Sequence, residues 1–170
     1  MNQTLRYCAP NMSDTVLLKI EGPRATITLN DPAKHNRLDP AGLGKLRAAI
    51  EKADADPAVR VTVLTGTGEK TFCSGYDLGS IPSGKGARPA EEVERDSFET
   101  VMDRLEAMRM PTLCALNGGV YGGATDMALA CDFRMGVKMA AECHHFVRQS
   151  GHRIKCRHVA SSMRQSGSPK

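Results

Sequence analysis

The chain has 170 residues, 41% hydrophobic and 25% charged, a composition that is ordinary for one globular domain with a sizeable core. Its aromatic content of 4%, the absence of tryptophan and the short apolar runs argue against a stacking platform for single-stranded nucleic acid, a membrane span and a secretory signal. The net charge of +4 is uneven, because residues 1–137 hold 16 basic and 18 acidic residues whereas residues 138–170 hold seven and one.

Two strands are predicted at the start of the chain. Residues 16–20 and 25–30 are rich in β-branched and apolar residues, and the short link between them predicts a hairpin. A helix follows a polar loop, because Asp39 is a favourable N-cap and Pro40 suits the first helical position. Apolar residues recur along this helix at spacings of three and four, and Pro57 ends it.

Strands and helices then alternate. Residues 59–66 form the clearest strand, and residues 79–90, rich in Gly, Ser and Pro, form a loop. A helix is predicted from about residue 90 to Pro111, and a short helix separates strands at 112–116 and 133–137. The order β-β-α-β-α-β-α-β indicates an α/β fold in which helices pack against a sheet.

Six cysteines are scattered along the sequence without C-x-x-C pairs. Cys114 and Cys131 lie inside apolar runs, where a free thiol packs as a small hydrophobic group. We therefore expect reduced cysteines and a cytoplasmic protein.

Two glycine-rich turns, at residues 72–78 and 117–126, follow apolar strand segments. The first amides of a helix have no intrahelical partner, and glycine lets a ligand approach them closely. Two such amides directed at one oxygen form an oxyanion hole, which suits the enolate of a thioester. The alternative is that these glycines only reverse the chain, and neither segment matches a phosphate-binding glycine motif.

The segments F-C-S-G-Y-D-L and N-G-G-V-Y-G-G-A-T-D resemble the two-part signature of the crotonase superfamily, the enoyl-CoA hydratase/isomerase family. The upstream N-D-P-A-K-H-N-R-L-D and the downstream A-L-A-C-D-F-R resemble its neighbouring segments, so the likeness covers about residues 16–137. It implies a crotonase-like (ClpP/crotonase) fold of stacked β-β-α units, incomplete at the C-terminus. The implied activity is hydration or isomerisation of an acyl-CoA through a thioester enolate.

The resemblance also assigns residues. The backbone amides of Tyr76 and Gly123 would be the two oxyanion donors, and Asp126 takes the position of a catalytic Glu in many members. Coenzyme A, as part of the substrate, would contact the two turns and the loop before the first helix through Ala33, Lys34, His35, Gly75, Tyr76, Asp77, Leu78, Gly122 and Gly123. No metal or redox cofactor is implied. Alternatively, Tyr76 only closes the acyl pocket, Lys34 is a solvated surface residue, and Asp126 only favours the helix N-terminus.

The sequence departs from the family pattern in two places. Asp126 is one methylene shorter than Glu, which leaves room for isomerase chemistry or a non-standard reaction. Near Glu142, where a second catalytic acid would lie, the P-E-x-x-x-G-like context is absent. Full-length members are homo-trimers or hexamers. We expect an acyl-CoA substrate as the partner, with no specific nucleic acid and no membrane, and the alternative function is that of a catalytically incompetent remnant that binds CoA at most.

Three segments are predicted: an N-terminal extension at 1–15, a partial core at 16–137 and a basic tail at 138–170. The tail has few aliphatic residues and no periodicity, so we expect it to be disordered, and its abrupt composition suggests out-of-frame translation or an abnormal terminus. Two other interpretations are non-specific binding to phosphate backbones, as in a basic interaction module, and a zinc site. The potential zinc ligands are Cys143, His144, His145, His152, Cys156 and His158.

Overall fold

A computed structural model describes residues 14–77, 79 and 97–136 of the protein. Within these residues the chain forms seven strands, at Val16–Glu21 (β1), Arg24–Leu29 (β2), Val61–Gly66 (β3), Thr71–Cys73 (β4), Thr112–Leu116 (β5), Gly119–Val120 (β6) and Phe133–Gly136 (β7). It also forms three α-helices, at Pro40–Ala55 (α1), Phe98–Glu106 (α2) and Ala124–Ala130 (α3), and one 3₁₀ turn at Pro32–Lys34. The predicted order is confirmed, with β4 and β6 in addition.

The main sheet has the strand order β1-β2-β3-β5-β7. The predicted hairpin is confirmed, because β1 pairs antiparallel with β2 from Val16–Leu29 to Glu21–Arg24. The other pairings are parallel, as expected for strands joined by crossovers. The carboxyl ends of β3 and β5 therefore meet at the same sheet edge, and each is followed by one of the two glycine-rich turns.

A second, two-stranded sheet was not predicted. In it β4 pairs parallel with β6, with Thr71 opposite Gly119 and Cys73 opposite Val120. These strands have three and two residues, too short for an alternation of apolar and polar residues to be recognised. The pairing places the two glycine-rich turns side by side.

The first helix forms as predicted. The Asp39 side chain accepts a hydrogen bond of 2.6 Å from the Gly42 amide, and Pro40 is the first helical residue. The helix ends at Ala55, just before Pro57. The strand β3 begins at Val61 rather than at residue 59, because the amides of Arg60 and Val61 both donate to the Pro23 carbonyl in the preceding turn.

The second helix is shorter at its C-terminal end than predicted. It ends at Glu106, and its described N-terminus is capped by Ser97, whose hydroxyl accepts from the Thr100 amide at 3.2 Å. Beyond it, Arg109 does not continue the helix but donates to the Asp54 and Asp56 carbonyls, so the chain has already turned towards the end of α1. The predicted helix start near residue 90 and the loop at 79–90 fall outside the described residues, Gly79 excepted.

The core lies between the sheet and the helices. Residues from both glycine-rich turns and from α3 belong to it, so the turns are anchored in the hydrophobic interior rather than attached to its surface. Its fully buried large side chains are Phe72, Ile27, Leu29, Leu38, Leu43, Leu46, Ile50, Leu64, Leu105, Met127, Val59 and Val101. In the part of the chain that the structure describes, no helix is both long and apolar enough to span a membrane.

Candidate active site

The first glycine-rich turn presents one peptide group to the site. Gly75 has φ +90°, and its carbonyl accepts a hydrogen bond of 2.9 Å from the Leu38 amide. No peptide bond in the described chain is cis, so the Gly75 carbonyl and the Tyr76 N–H, which share a peptide, point in opposite directions. The Tyr76 N–H therefore points away from Leu38, and it donates to no other described residue.

The second turn is hydrogen-bonded to the first. The Tyr121 amide donates to the Cys73 carbonyl at 3.1 Å, and Gly122 follows with φ +54°. Gly123 is the N-cap of α3, and its own amide makes no hydrogen bond within the described part of the chain. The first-turn amides of a helix carry the positive end of its dipole.

The two turns touch through their backbones. A methyl group placed on Gly75 would lie 3.0 Å from the Gly123 nitrogen and 2.9 Å from the Tyr121 carbonyl oxygen. Neither contact involves a flexible side chain that could move aside, and φ +90° disfavours any residue with a β-carbon. Only glycine fits at position 75, and its absence of a side chain lets the two backbone segments that carry the Tyr76 and Gly123 amides lie side by side. Among the described residues these two amides have no hydrogen-bond partner.

An aromatic ring lies beside Gly123. A methyl group on Gly123 would lie 2.8 Å from Cζ of Phe98, the first residue of α2. The Phe98 ring is partly buried and packs against the core. Its position on Gly123 was missed, because nothing in the local sequence relates two residues 25 positions apart.

Asn36 was also missed as a site residue. It is 1% exposed and has φ +54°. Its Nδ2 donates to the carbonyls of Thr67, Thr71 and Phe72 at 2.9, 3.0 and 3.1 Å, while its Oδ1 accepts from the Asp31 amide at 3.0 Å. This side chain fastens the loop before α1 to the strand that leads into the first turn. The sequence did contain one signal for this residue, because Asn36 is the second asparagine of the family-like segment N-D-P-A-K-H-N-R-L-D.

The residues predicted to contact coenzyme A lie along this loop. Ala33, Lys34 and His35 are all exposed, and Lys34 forms an ion pair of 3.6 Å with Asp31. His35 reaches the first turn, because its carbonyl accepts from the Ser74 amide and its Nδ1 lies 3.0 Å from Thr71 Oγ1.

The two predicted carboxylate positions differ in their surroundings. Asp77 pairs with Arg37 at 3.3 Å and accepts from the Gly79 amide at 3.2 Å, so it anchors the exit of the first turn. Asp126 is exposed on the first turn of α3, as predicted. Leu78, Glu142 and the zinc ligands proposed for the tail lie outside the described residues.

The buried thiols beside the site act as hydrogen-bonding groups. Burial raises the pKa of the Cys73 thiol to about 11, so it stays protonated at neutral pH and donates to the Asn36 carbonyl at 3.0 Å. The pKa of the Cys114 thiol lies well above its usual value, mainly because of a hydrogen bond with Cys131 and secondly because of burial. The three cysteines that the structure describes are free, and the protonated thiols of Cys73 and Cys114 are poor nucleophiles. The chemistry available here is therefore that of amide donors and a carboxylate.

Comparison with known proteins tests the predicted family. A family model for enoyl-CoA hydratase/isomerase matches residues 20–149, a range that continues beyond Val137. A probable enoyl-CoA hydratase of Mycobacterium tuberculosis is 38% identical over 122 residues, which are 72% of this chain and 46% of that protein. The (E)-benzylidenesuccinyl-CoA hydratase of Thauera aromatica is 37% identical over 122 residues, with coverages of 71% and 46%.

Solved structures give the same result for the fold. The crystal structure of an enoyl-CoA hydratase from Bacillus anthracis superposes with a TM-score of 0.62 at 31% identity, covering 72% of this chain and 47% of that one. The predicted crotonase-like α/β fold is confirmed. The chain spans about half the length of the curated relatives it matches. Because the family model matches most of its residues, the chain belongs to the enoyl-CoA hydratase/isomerase family.

Proposed function

We propose that the chain acts on an acyl-CoA, whose thioester oxygen is held by the backbone amides of Tyr76 and Gly123. The observation that carries the proposal is the backbone contact of the two turns at Gly75, which leaves these two amides without a partner among the described residues. A reaction that forms an enolate places negative charge on that oxygen. Each donor directed at it contributes about 2.7–4 kcal/mol of transition-state stabilisation.

Two further features support the same chemistry. The Phe98 ring lies beside Gly123, and an apolar neighbour strengthens a hydrogen bond to a developing charge by lowering the local dielectric. The exposed loop of Ala33, Lys34 and His35 leads to the first turn, where coenzyme A would enter beside Gly75, Asp77 and Gly122.

Asp126 is the proposed proton carrier, or the residue that positions water. It lies on the first turn of α3, where the positive end of the helix dipole favours a carboxylate. A general base must reach the proton that it removes, and Asp reaches one methylene less far than Glu. This shorter reach supports isomerisation or a non-standard reaction as readily as hydration. Coenzyme A enters as part of the substrate, and the proposed steps use no metal or redox cofactor.

A second candidate function is binding of CoA thioesters without turnover. The exposure of Asp126 favours it, because an open carboxylate is a less effective base than one held in a dry site. We also propose a cytoplasmic location, supported by three buried free thiols, and the homo-oligomer implied by the family stays a prediction.

Calorimetric titration with acetoacetyl-CoA, beside circular dichroism on the same sample, tests the oxyanion site. Gly123→Pro is the informative variant, since φ at Gly123 is −59°, close to the φ of proline, so that the N–H is replaced by a ring carbon at an unchanged φ. Gly123→Ala is its matched control, because it brings the same β-carbon towards Phe98 but keeps the N–H.

We expect saturable binding by the wild-type chain, weaker binding by Gly123→Ala and none by Gly123→Pro. Equal binding by the two variants would contradict the role of the Gly123 amide. Turnover of crotonoyl-CoA, compared with an Asp126→Ala variant, then separates the enzyme from the non-catalytic binder.

A further inference from the structure

Two hydrogen-bonded routes lead from Asn36 to the peptide that carries the first donor. The Asn36 carbonyl accepts from Cys73 Sγ at 3.0 Å, and the same sulfur accepts from the Gly75 amide at 3.3 Å. Two residues after Asn36, the Leu38 amide donates to the Gly75 carbonyl at 2.9 Å. Both hydrogen-bonding groups of Gly75 are therefore held by groups whose positions depend on Asn36.

The Asn36 side chain holds the loop before α1 against β4 and the segment that precedes it. Its Nδ2, which carries two N–H groups, lies within hydrogen-bond distance of three carbonyls, of which those of Thr71 and Phe72 are buried, and its Oδ1 accepts from the Asp31 amide. Removal of the side chain takes a donor away from these buried carbonyls, which costs free energy. Its left-handed φ of +54° is also a conformation that Asn adopts more readily than most residues. Replacement by Ala removes the hydrogen bonds and disfavours the turn, so the loop can move away from β4.

We propose that Asn36 is a positioning residue of the oxyanion site, which fixes the direction of the Tyr76 N–H through the Leu38 amide and the Cys73 thiol. This inference rests on the proposed function, because the Tyr76 N–H needs a thioester oxygen to act on. Hydrogen bonds weaken steeply as their angle falls towards 120°. A rotation of the Gly75–Tyr76 peptide therefore weakens the donor without removing it.

The test measures the donor directly. Binding of [1-¹³C]butanoyl-CoA, a saturated thioester that cannot be hydrated, is followed by isotope-edited infrared spectroscopy, in which hydrogen bonds lower the frequency of the labelled carbonyl. Asn36→Ala is compared with Asn30→Ala. Asn30 is a matched control, because its side chain also joins distant segments, donating to the Asp14 carbonyl and accepting from the Thr67 hydroxyl, and neither of these two partners belongs to the first turn.

We expect the wild-type chain and Asn30→Ala to show the same frequency shift. Asn36→Ala should show less than half of that shift and about tenfold weaker binding, a loss of about 1.4 kcal/mol. A full shift in folded Asn36→Ala would overturn the positioning role while leaving the proposed function intact. Absence of binding or of any shift in the wild-type chain would overturn the proposed function, and the positioning role with it.

A second pair of variants decides the matter if Asn36→Ala does not fold. Cys73→Ala breaks only the sulfur link between the Asn36 carbonyl and the Gly75 amide, whereas Cys73→Ser keeps a group that both donates and accepts. A reduced carbonyl shift in Cys73→Ala that recovers in Cys73→Ser supports the proposal. An unchanged shift in both variants overturns it.

Discussion

Replacement of Gly75 by alanine tests the backbone contact on which the site depends. Gly75 has φ +90°, which costs an L-residue about 1–2 kcal/mol. The added methyl group would also lie 2.9 Å from the Tyr121 carbonyl oxygen and 3.0 Å from the Gly123 nitrogen, both backbone atoms. Overpacking of this kind costs about 1–3 kcal/mol. The two terms together predict that Gly75→Ala loses about 2–5 kcal/mol of unfolding free energy.

Gly22→Ala is the matched control. Gly22 also has a positive φ, +56°, but a methyl group there would meet no atom within 4 Å. Both substitutions reduce the entropy of the unfolded chain equally, so this effect cancels in the comparison. The difference between the variants then reports the backbone contact together with the strain of φ +90° relative to φ +56°, and we expect Gly75→Ala to cost at least about 1 kcal/mol more.

Urea unfolding followed by far-UV circular dichroism measures both variants, with equal m-values required for the comparison. We also expect Gly75→Ala to lose acetoacetyl-CoA binding, since it separates the two turns, and Gly22→Ala to keep it. Unfolding free energies that agree within about 0.5 kcal/mol would refute the close approach of the turns.

Three further predictions concern single groups. Tyr76→Phe should leave acetoacetyl-CoA binding unchanged in calorimetry, because only the Tyr76 backbone is proposed to act, and a large loss would show that the phenol takes part. Burial raises the pKa of Cys73 from 9.0 to about 11, so the unfolded chain ionises first and unfolding free energy is lost as the pH rises from 9 to 11. Relative to Cys73→Ser, urea titrations should show a loss of about 2 kcal/mol over that range, and parallel curves would contradict it. Asp39→Ala removes the 2.6 Å cap on Gly42 and should cost about 1 kcal/mol in thermal unfolding, whereas an unchanged midpoint would mean that the cap contributes nothing.

The features that the sequence predicted well are local ones. The hairpin of β1 and β2 follows from two β-rich segments and a short link, and α1 follows from Asp39, Pro40 and an apolar stripe. Each of these signals acts within a few residues of the element that it specifies. The positions of the two glycine-rich turns and of Asp126 on α3 were predicted for a different reason. They follow from the resemblance of residues 72–78 and 117–126 to the two-part family signature.

The features that the sequence did not predict depend on contacts between distant segments. Asn36 bonds to residues 31 to 36 positions away, and β4 meets β6 across more than 40 residues. Buried polar groups must find partners, but the sequence does not say which. From sequence alone, Asn36 cannot be distinguished from other loop asparagines, because its role depends on the strand at 71–73 that packs beside it. Phe98 likewise cannot be distinguished from other apolar helix residues, because its contact with Gly123 exists only in the folded chain.

The geometry of the candidate site therefore follows from the sheet rather than from either turn alone. Parallel pairing of β3 with β5 brings the ends of both strands to one edge, and β4 with β6 continues that parallel arrangement into the turns. The Leu38 amide donates to the carbonyl of the Gly75–Tyr76 peptide, and Gly123 is the N-cap of α3, so each proposed donor is held by a different element. Because the donors belong to segments that are nearly fifty residues apart, their alignment depends on the packing of the core between them. A substitution in that core, remote from both amides, should change thioester binding whenever it shifts β4 against β6.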